Sequence, residues 1–145
     1  MTKRNLFLLG VLILAQLVYA GNWDDTKAQA KQENKLILLK FSGSDWCGPC
    51  IQLQKVIFDD PVFEQFAHEK LVLFKADFPR QKKNQLPKEQ QAINDQLAET
   101  YNPEGEFPCM VLIYAQGNTL SKWHGYDKKH TVQDYMADVN AFINK

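Results

Sequence analysis

The chain has no surplus of either charge: 17 Lys and Arg face 17 Asp and Glu across 145 residues, without a basic block or an acidic tail. Neither nucleic acid nor an anionic membrane surface is therefore indicated as a partner. Cysteine is scarce, with three in all. That is too few for a disulfide-stapled scaffold, and a domain of this length has core enough not to need one. A structural zinc site wants four ligands, and no second Cys-x-x-Cys or His pair accompanies Cys47 and Cys50, so no metal is expected. Internal repeats and low-complexity segments are missing as well.

What is present starts with a leader. Lys3 and Arg4 form a basic start, Leu6 to Leu17 is almost unbroken apolar sequence, and Val18-Tyr19-Ala20 suits a signal peptidase. The apolar run is shorter than the roughly 20 residues that cross a bilayer, and no cysteine ends it, which argues against an anchor or a lipoprotein. The expectation is a signal peptide over residues 1–20 and one domain over 21–145. The mature protein would be exported, periplasmic or secreted, with no stable membrane span.

Trp46-Cys47-Gly48-Pro49-Cys50 is the chemical centre of the sequence. An apolar run, Leu36 to Phe41, has the length and uniformity of a buried strand, and Ser42-Gly43-Ser44-Asp45 turns from it into a helix that starts at the cysteines. A cysteine there sits beside unpaired N–H groups and the positive end of the helix dipole, which favours its thiolate. Cys47 and Cys50 share a helix face and can reach each other. Pro49 is tolerated because the first turn needs no intrahelical N–H bond.

Around this centre the chain reads in order. A short helix over 27–34, with Trp23 and Ala28 packed inward, precedes the first strand. Ile51, Leu53, Val56, Ile57 and Phe58 give the cysteine helix an apolar face. Asp60-Pro61 opens a second helix with Val62, Phe63 and Phe66 inward. A buried strand over 71–77 leads to a basic loop, Pro79 to Pro87, which reads as a solvated surface insertion. A helix over 88–101 follows, then strands at 109–114 and 119–124 joined by a hairpin at Gly117, and a last helix capped by Thr131. The order predicts an α/β fold: a central mixed sheet, built from a parallel β-α-β half and an antiparallel β-β-α half, with helices on both faces. Chemistry in such sheets lies beyond the carboxyl ends of the strands, where the cysteines fall.

The Cys-Gly-Pro-Cys pair after a buried strand, Phe107-Pro108 before the next-to-last strand, the Gly117 hairpin and Gly125 after the last strand together resemble the thioredoxin superfamily over essentially the whole mature chain. The long approach from Phe41 to Cys47, with the leader, is more similar to its exported members. The resemblance implies a thioredoxin-like fold and a thiol–disulfide oxidoreductase, with Cys47 as exposed nucleophile and Cys50 as buried resolving thiol. It implies a cis Pro108 facing the pair, and a groove rimmed by Trp46, Gly48, Pro49, Phe107, Pro108, Gly125 and Tyr126 that suits an extended polypeptide. The partners implied are protein disulfides or dithiols and a redox partner that supplies or accepts electrons. No cofactor is needed beyond the pair itself. Reduction of exported proteins is the preferred direction; oxidation or isomerisation, or a redox-inert binding or chaperone module, are the alternatives.

Four further residues carry expectations. Lys40 stands where thioredoxins usually have a buried aspartate, and is expected to snorkel its charge to the surface rather than serve the chemistry. Asp45 is read as a turn former. Cys109, next to Pro108, is a small buried strand residue or a third thiol able to modulate the pair. His124 is a half-exposed strand residue on the groove rim, and His68 and His130 read as surface positions.

Overall fold

The computed structural model describes residues 22–143; the expected signal peptide lies outside them. The elements are α1 (Trp23–Glu33), β1 (Leu36–Ser42), α2 (Gly48–Leu53), α3 (Pro61–Lys70), β2 (Leu71–Asp77), α4 (Lys88–Tyr101), β3 (Cys109–Ile113), β4 (Thr119–His124) and α5 (Val132–Ile143). Among the described residues the strands form a four-stranded sheet in the order β2-β1-β3-β4. β1 runs parallel to β2, with Leu36 opposite Leu71 and Ser42 opposite Asp77, and antiparallel to β3. β3 and β4 are antiparallel, with Cys109 opposite His124. This is the mixed α/β sheet that the sequence predicts.

The alternation of β1 divides the core into two layers. Ile37, Leu39 and Phe41 point to one face, where Ala30 of α1 and Leu97 of α4 cover them. Leu38 points to the other, against Leu53 and Ile57 of the cysteine helix and its continuation, Phe63 and Phe66 of α3, and Tyr135 and Val139 of α5. Helices thus cover both faces. Local chemistry sets their ends: Asp60 accepts from Val62 N and Phe63 N at the start of α3, and Thr131 and Asp134 bond reciprocally at the start of α5.

Several inward assignments shift. In α1 it is Thr26 and Ala30 that are buried, while Ala28 is exposed. Ile51, Val56 and Val62 face solvent. After Leu53, α2 passes into a π-helical turn, Gln54–Phe58, closed by Asp59 N to Gln54 O at 2.8 Å. The wider turn carries Ile57 and Phe58 inward and leaves Val56 out. β2 is an edge strand rather than one buried on both faces: Leu73 and Lys75 are exposed. His130 is half-buried, with its Nε2 2.9 Å from an Asp138 oxygen and its ring edge-on to Tyr135.

Lys40 departs furthest from expectation. Its side chain does not reach the surface; the residue is 5% exposed, its ammonium donates to Gln54 Oε1, and it lies 3.8 Å from the centroid of the Phe58 ring. Gln54 in turn donates to Asp59 at 2.7 Å. The π-helical turn supplies Gln54 and Phe58, so the same irregularity that buries Phe58 also receives the lysine. Burial, aided by the nearby charge of Lys75, lowers the Lys40 pKa to about 8 from 10.5. Below pH 8 the folded state carries a desolvated ammonium. Between 8 and 10.5 the unfolded chain holds more protons than the folded one, so this group's contribution to stability rises with pH. Urea unfolding of wild type and Lys40→Met at about pH 7.5 and pH 10 should show the difference moving toward the wild type by on the order of 2 kcal/mol. A difference that stays constant with pH would contradict this account of the lysine.

Candidate functional site

The cysteines sit where β1 ends. Ser42 O accepts from Phe78 N at 2.8 Å, and Ser44 is bonded through both its N–H and its hydroxyl to the Asp77 carboxylate, so the turn after β1 is tied to the end of β2. Gly43 O then accepts from Trp46 N and Cys47 N, which folds the chain back tightly. A Cβ at Gly43 would lie 2.3 Å from the Trp46 indole; glycine is required there because the ring packs on the backbone.

Cys47 is the N-cap of α2. Its Sγ accepts from Cys50 N at 3.3 Å, Pro49 occupies the first turn, and Cys47 and Cys50 are joined in a disulfide with their Cα atoms 5.2 Å apart. The expected contrast between an exposed and a buried thiol is slight in this oxidised form, at 5% for Cys47 and 3% for Cys50. The bond folds Cys47 Sγ back over the helix end, so what separates the two is the capping N–H on Cys47. Gly48 and Pro49 are exposed above it.

Phe107-Pro108 is a cis peptide bond, as the resemblance implies. Pro108 is buried, and its carbonyl accepts from Gly125 N at 2.8 Å, where Gly125 takes a φ of 70°. This bond joins the segment before β3 to the one after β4. Phe107 packs edge-on to Trp46 at 5.4 Å and to Phe78 at 5.5 Å between ring centroids. The aromatic rim is thus built from three distant segments, and Phe78 belongs to it although sequence reasoning had passed it over. The only local signal for Phe78 was its place one residue beyond a strand.

The basic loop is solvent-exposed, as expected of a surface insertion, and it is also fastened to the cysteine turn. Asp45 accepts from Arg80 N and Gln81 N at 2.9 Å each and from Asn84 Nδ2 at 3.0 Å. Trp46 Nε1 donates to Phe78 O at 2.7 Å, and the Arg80 guanidinium lies 3.7 Å from the centroid of the Trp46 ring. Asp45 therefore anchors a segment some 35 residues away instead of merely forming its own turn. Those bonds, the Arg80 N–H first, hold its carboxyl below the ordinary 3.8.

The remaining candidates divide. Cys109 is fully buried on the layer that holds Phe41 and Val111, and Lys40 lies on the opposite face of the sheet among side chains of the π-helical turn and α3. Burial raises the Cys109 thiol to about 11, which keeps it protonated and poorly nucleophilic at neutral pH. His124 is exposed on β4, and its Nδ1 is paired with the Glu106 carboxylate. Among the described residues no group of three or more His, Cys, Asp or Glu is placed to hold a metal ion.

Comparison with known proteins agrees with this geometry. Disulfide bond reductase DsbH of Chlamydia pneumoniae is 41% identical over 93 residues, which are 64% of this chain and 54% of that protein. Thioredoxin-related protein DsbJ of the same organism is 26% identical over 67% of this chain and 27% of its own length. The chain thus spans about half, or less, of the curated relatives it matches. A solved DsbH oxidoreductase superposes with a TM-score of 0.75 at 31% identity, covering 86% of this chain and 83% of that one. A disulphide isomerase from Xylella fastidiosa Temecula1 shares the fold at a TM-score of 0.60 and 18% identity, over 80% of this chain and 86% of its own. The family model for the thioredoxin-like domain matches residues 23–140, nearly all of the described chain, and with a linked Cys-Gly-Pro-Cys pair at a helix start and a cis-proline before β3 this protein belongs to the thioredoxin-like family.

Proposed function

We propose that this protein is an exported thiol–disulfide oxidoreductase that reduces disulfides in other exported proteins. The observation that carries the reading is the Cys47–Cys50 disulfide closed across the first turn of α2, with a backbone N–H directed at Cys47 Sγ. When the pair is reduced, that N–H and the helix end favour the Cys47 thiolate. The thiolate attacks one sulfur of a client disulfide; the client S–S bond breaks, and its other sulfur leaves as a thiolate and takes a proton from water. Cys50 then gives up its proton and attacks Cys47 Sγ, which releases the second client sulfur and restores the Cys47–Cys50 bond. Two electrons pass from the pair to the client, and an external dithiol returns them. The chemistry resides in the two sulfurs, with no further cofactor. The name of the Chlamydia pneumoniae relative, a disulfide bond reductase, supports the direction.

Export rests on the basic start and apolar run of residues 1–20, and among the described residues no helix is long and apolar enough to cross a membrane. N-terminal sequencing of the protein recovered from the periplasm of a Gram-negative host should begin at Gly21; an uncleaved cytoplasmic product would refute it. With dithiothreitol as electron source, the mature protein should accelerate reduction of insulin. Cys47→Ser should bring the rate to background, and Cys50→Ser should accumulate a mixed disulfide through Cys47. Full activity of the Cys47 variant sinks the assignment. Direction is checked separately by equilibration with glutathione: a reductant should settle at or below about −230 mV, whereas a value near −120 mV belongs to a strong oxidant.

A further inference from the structure

The loop that follows β2 is basic, and it is fastened to the nucleophile. Arg80, Lys82, Lys83 and Lys88 fall within nine residues, with Glu89 beside them. Asp45, two residues before Cys47, holds Arg80, Gln81 and Asn84 by three hydrogen bonds. Lys82 and Lys83 ride on the single 3-10 turn, Lys82–Asn84, that ends in this clamp. Arg80 lies over the indole of Trp46, the residue next to Cys47. Between the loop and the segment that leads to Pro108 runs a groove of about 400 Å³ lined by Trp46, Phe78, Pro79, Arg80, Gln91 and Phe107.

Charges around this groove are unequally matched. On the side that leads to β3, Glu104 is ion-paired with Lys122 and Glu106 is hydrogen-bonded to His124. Asp45 is occupied by the loop backbone. Among the described residues none of Arg80, Lys82, Lys83 or Lys88 has a carboxylate within ion-pair distance. The neutral total charge conceals this, because apart from Asp45, Glu89 and Glu106 most of the acids stand elsewhere on the chain. A cleft with unpaired charge of one sign on its wall attracts the opposite sign during encounter and repels its own.

We infer that the loop over residues 79–84 is a specificity arm, and that it selects client disulfides flanked by acidic residues, whose carboxylates meet Arg80, Lys82 and Lys83 while the client sulfur meets Cys47. The inference rests on the disulfide-exchange reading above and adds to it the class of client. It also assigns Asp45 the task of holding the arm at the cysteines, a positioning role rather than a chemical one.

The test uses the reduced mature protein, with dithiothreitol as electron source, and two peptide disulfides that differ only in carrying two Asp or two Lys beside each cysteine. Neutral hydroxyethyl disulfide serves as a third substrate. At low ionic strength the acidic peptide should be reduced on the order of tenfold faster than the basic one, and the ratio should fall toward one at about 0.5 M salt. Lys82→Glu combined with Lys83→Glu should invert the ratio. Lys31→Glu combined with Lys70→Glu makes the same change in net charge where the strands begin, and should leave the ratio as in the wild type. Asp45→Asn should shrink the ratio toward one even though it makes the protein more positive, a result that local charge alone would not give. Equal rates for the two peptides with the neutral disulfide still reduced, or a ratio that follows net charge in both double variants, would overturn the arm while leaving the oxidoreductase standing. Failure to reduce even the neutral disulfide would overturn the oxidoreductase, and the arm with it.

Discussion

Parallel pairing of β1 with β2 is the constraint on which the site depends. It brings Ser42 opposite Asp77, so the two chains leave the sheet side by side. Two unpaired strand ends would need separate partners for their polar groups. Here each serves the other: Ser44 bonds to the Asp77 carboxylate, Phe78 N to Ser42 O, and Asn94 of α4, fully buried, to Asp77 O. The turn that carries the cysteines is rigid because its backbone and its neighbour's are satisfied together.

From that joint the aromatic rim is assembled by side chains with two loyalties. Trp46 packs on Gly43 and Phe107 and hydrogen-bonds to Phe78 O; Phe107 touches both Trp46 and Phe78 and precedes Pro108. An aromatic ring offers a large apolar face and, in tryptophan, one polar edge, so a single residue can join three segments. Trp46 at one end of this cluster is the chain neighbour of Cys47, so the cysteine turn and the rings are held by the same residue.

How much of this was legible depends on whether the signal was local. The strands of the β-α-β half, the Asp60-Pro61 helix start, the hairpin and the Thr131 cap are each written in a few adjacent residues, and each stands where the sequence put it. The cysteine pair was legible for the same reason, and Pro108 only through resemblance. The rest hinged on contacts between distant segments. Nothing in residues 79–87 tells that Asp45 will hold them, and a lysine in an apolar strand reads as a snorkelling side chain until the π-helical turn places Gln54 and Phe58 over it. The exposed Ile51, Val56 and Val62 show the reverse failure: hydrophobic residues at helical spacing do not say which of them the neighbouring layer has room to cover.

The π-helical turn also fixes the length of the chain between the cysteines and α3. A turn with five-residue closure holds one residue more than an α-turn over the same rise, so a deletion that closed it to an α-turn would take away one of the side chains it presents. Losing Ile57 or Phe58 would empty a place in the layer against the sheet, and losing Gln54 or Phe58 would take from Lys40 the amide or the ring that receives its ammonium. Val56, which faces solvent, is the apolar residue of this turn that the core does not hold, and in this stretch the extra residue serves the lysine as much as the core.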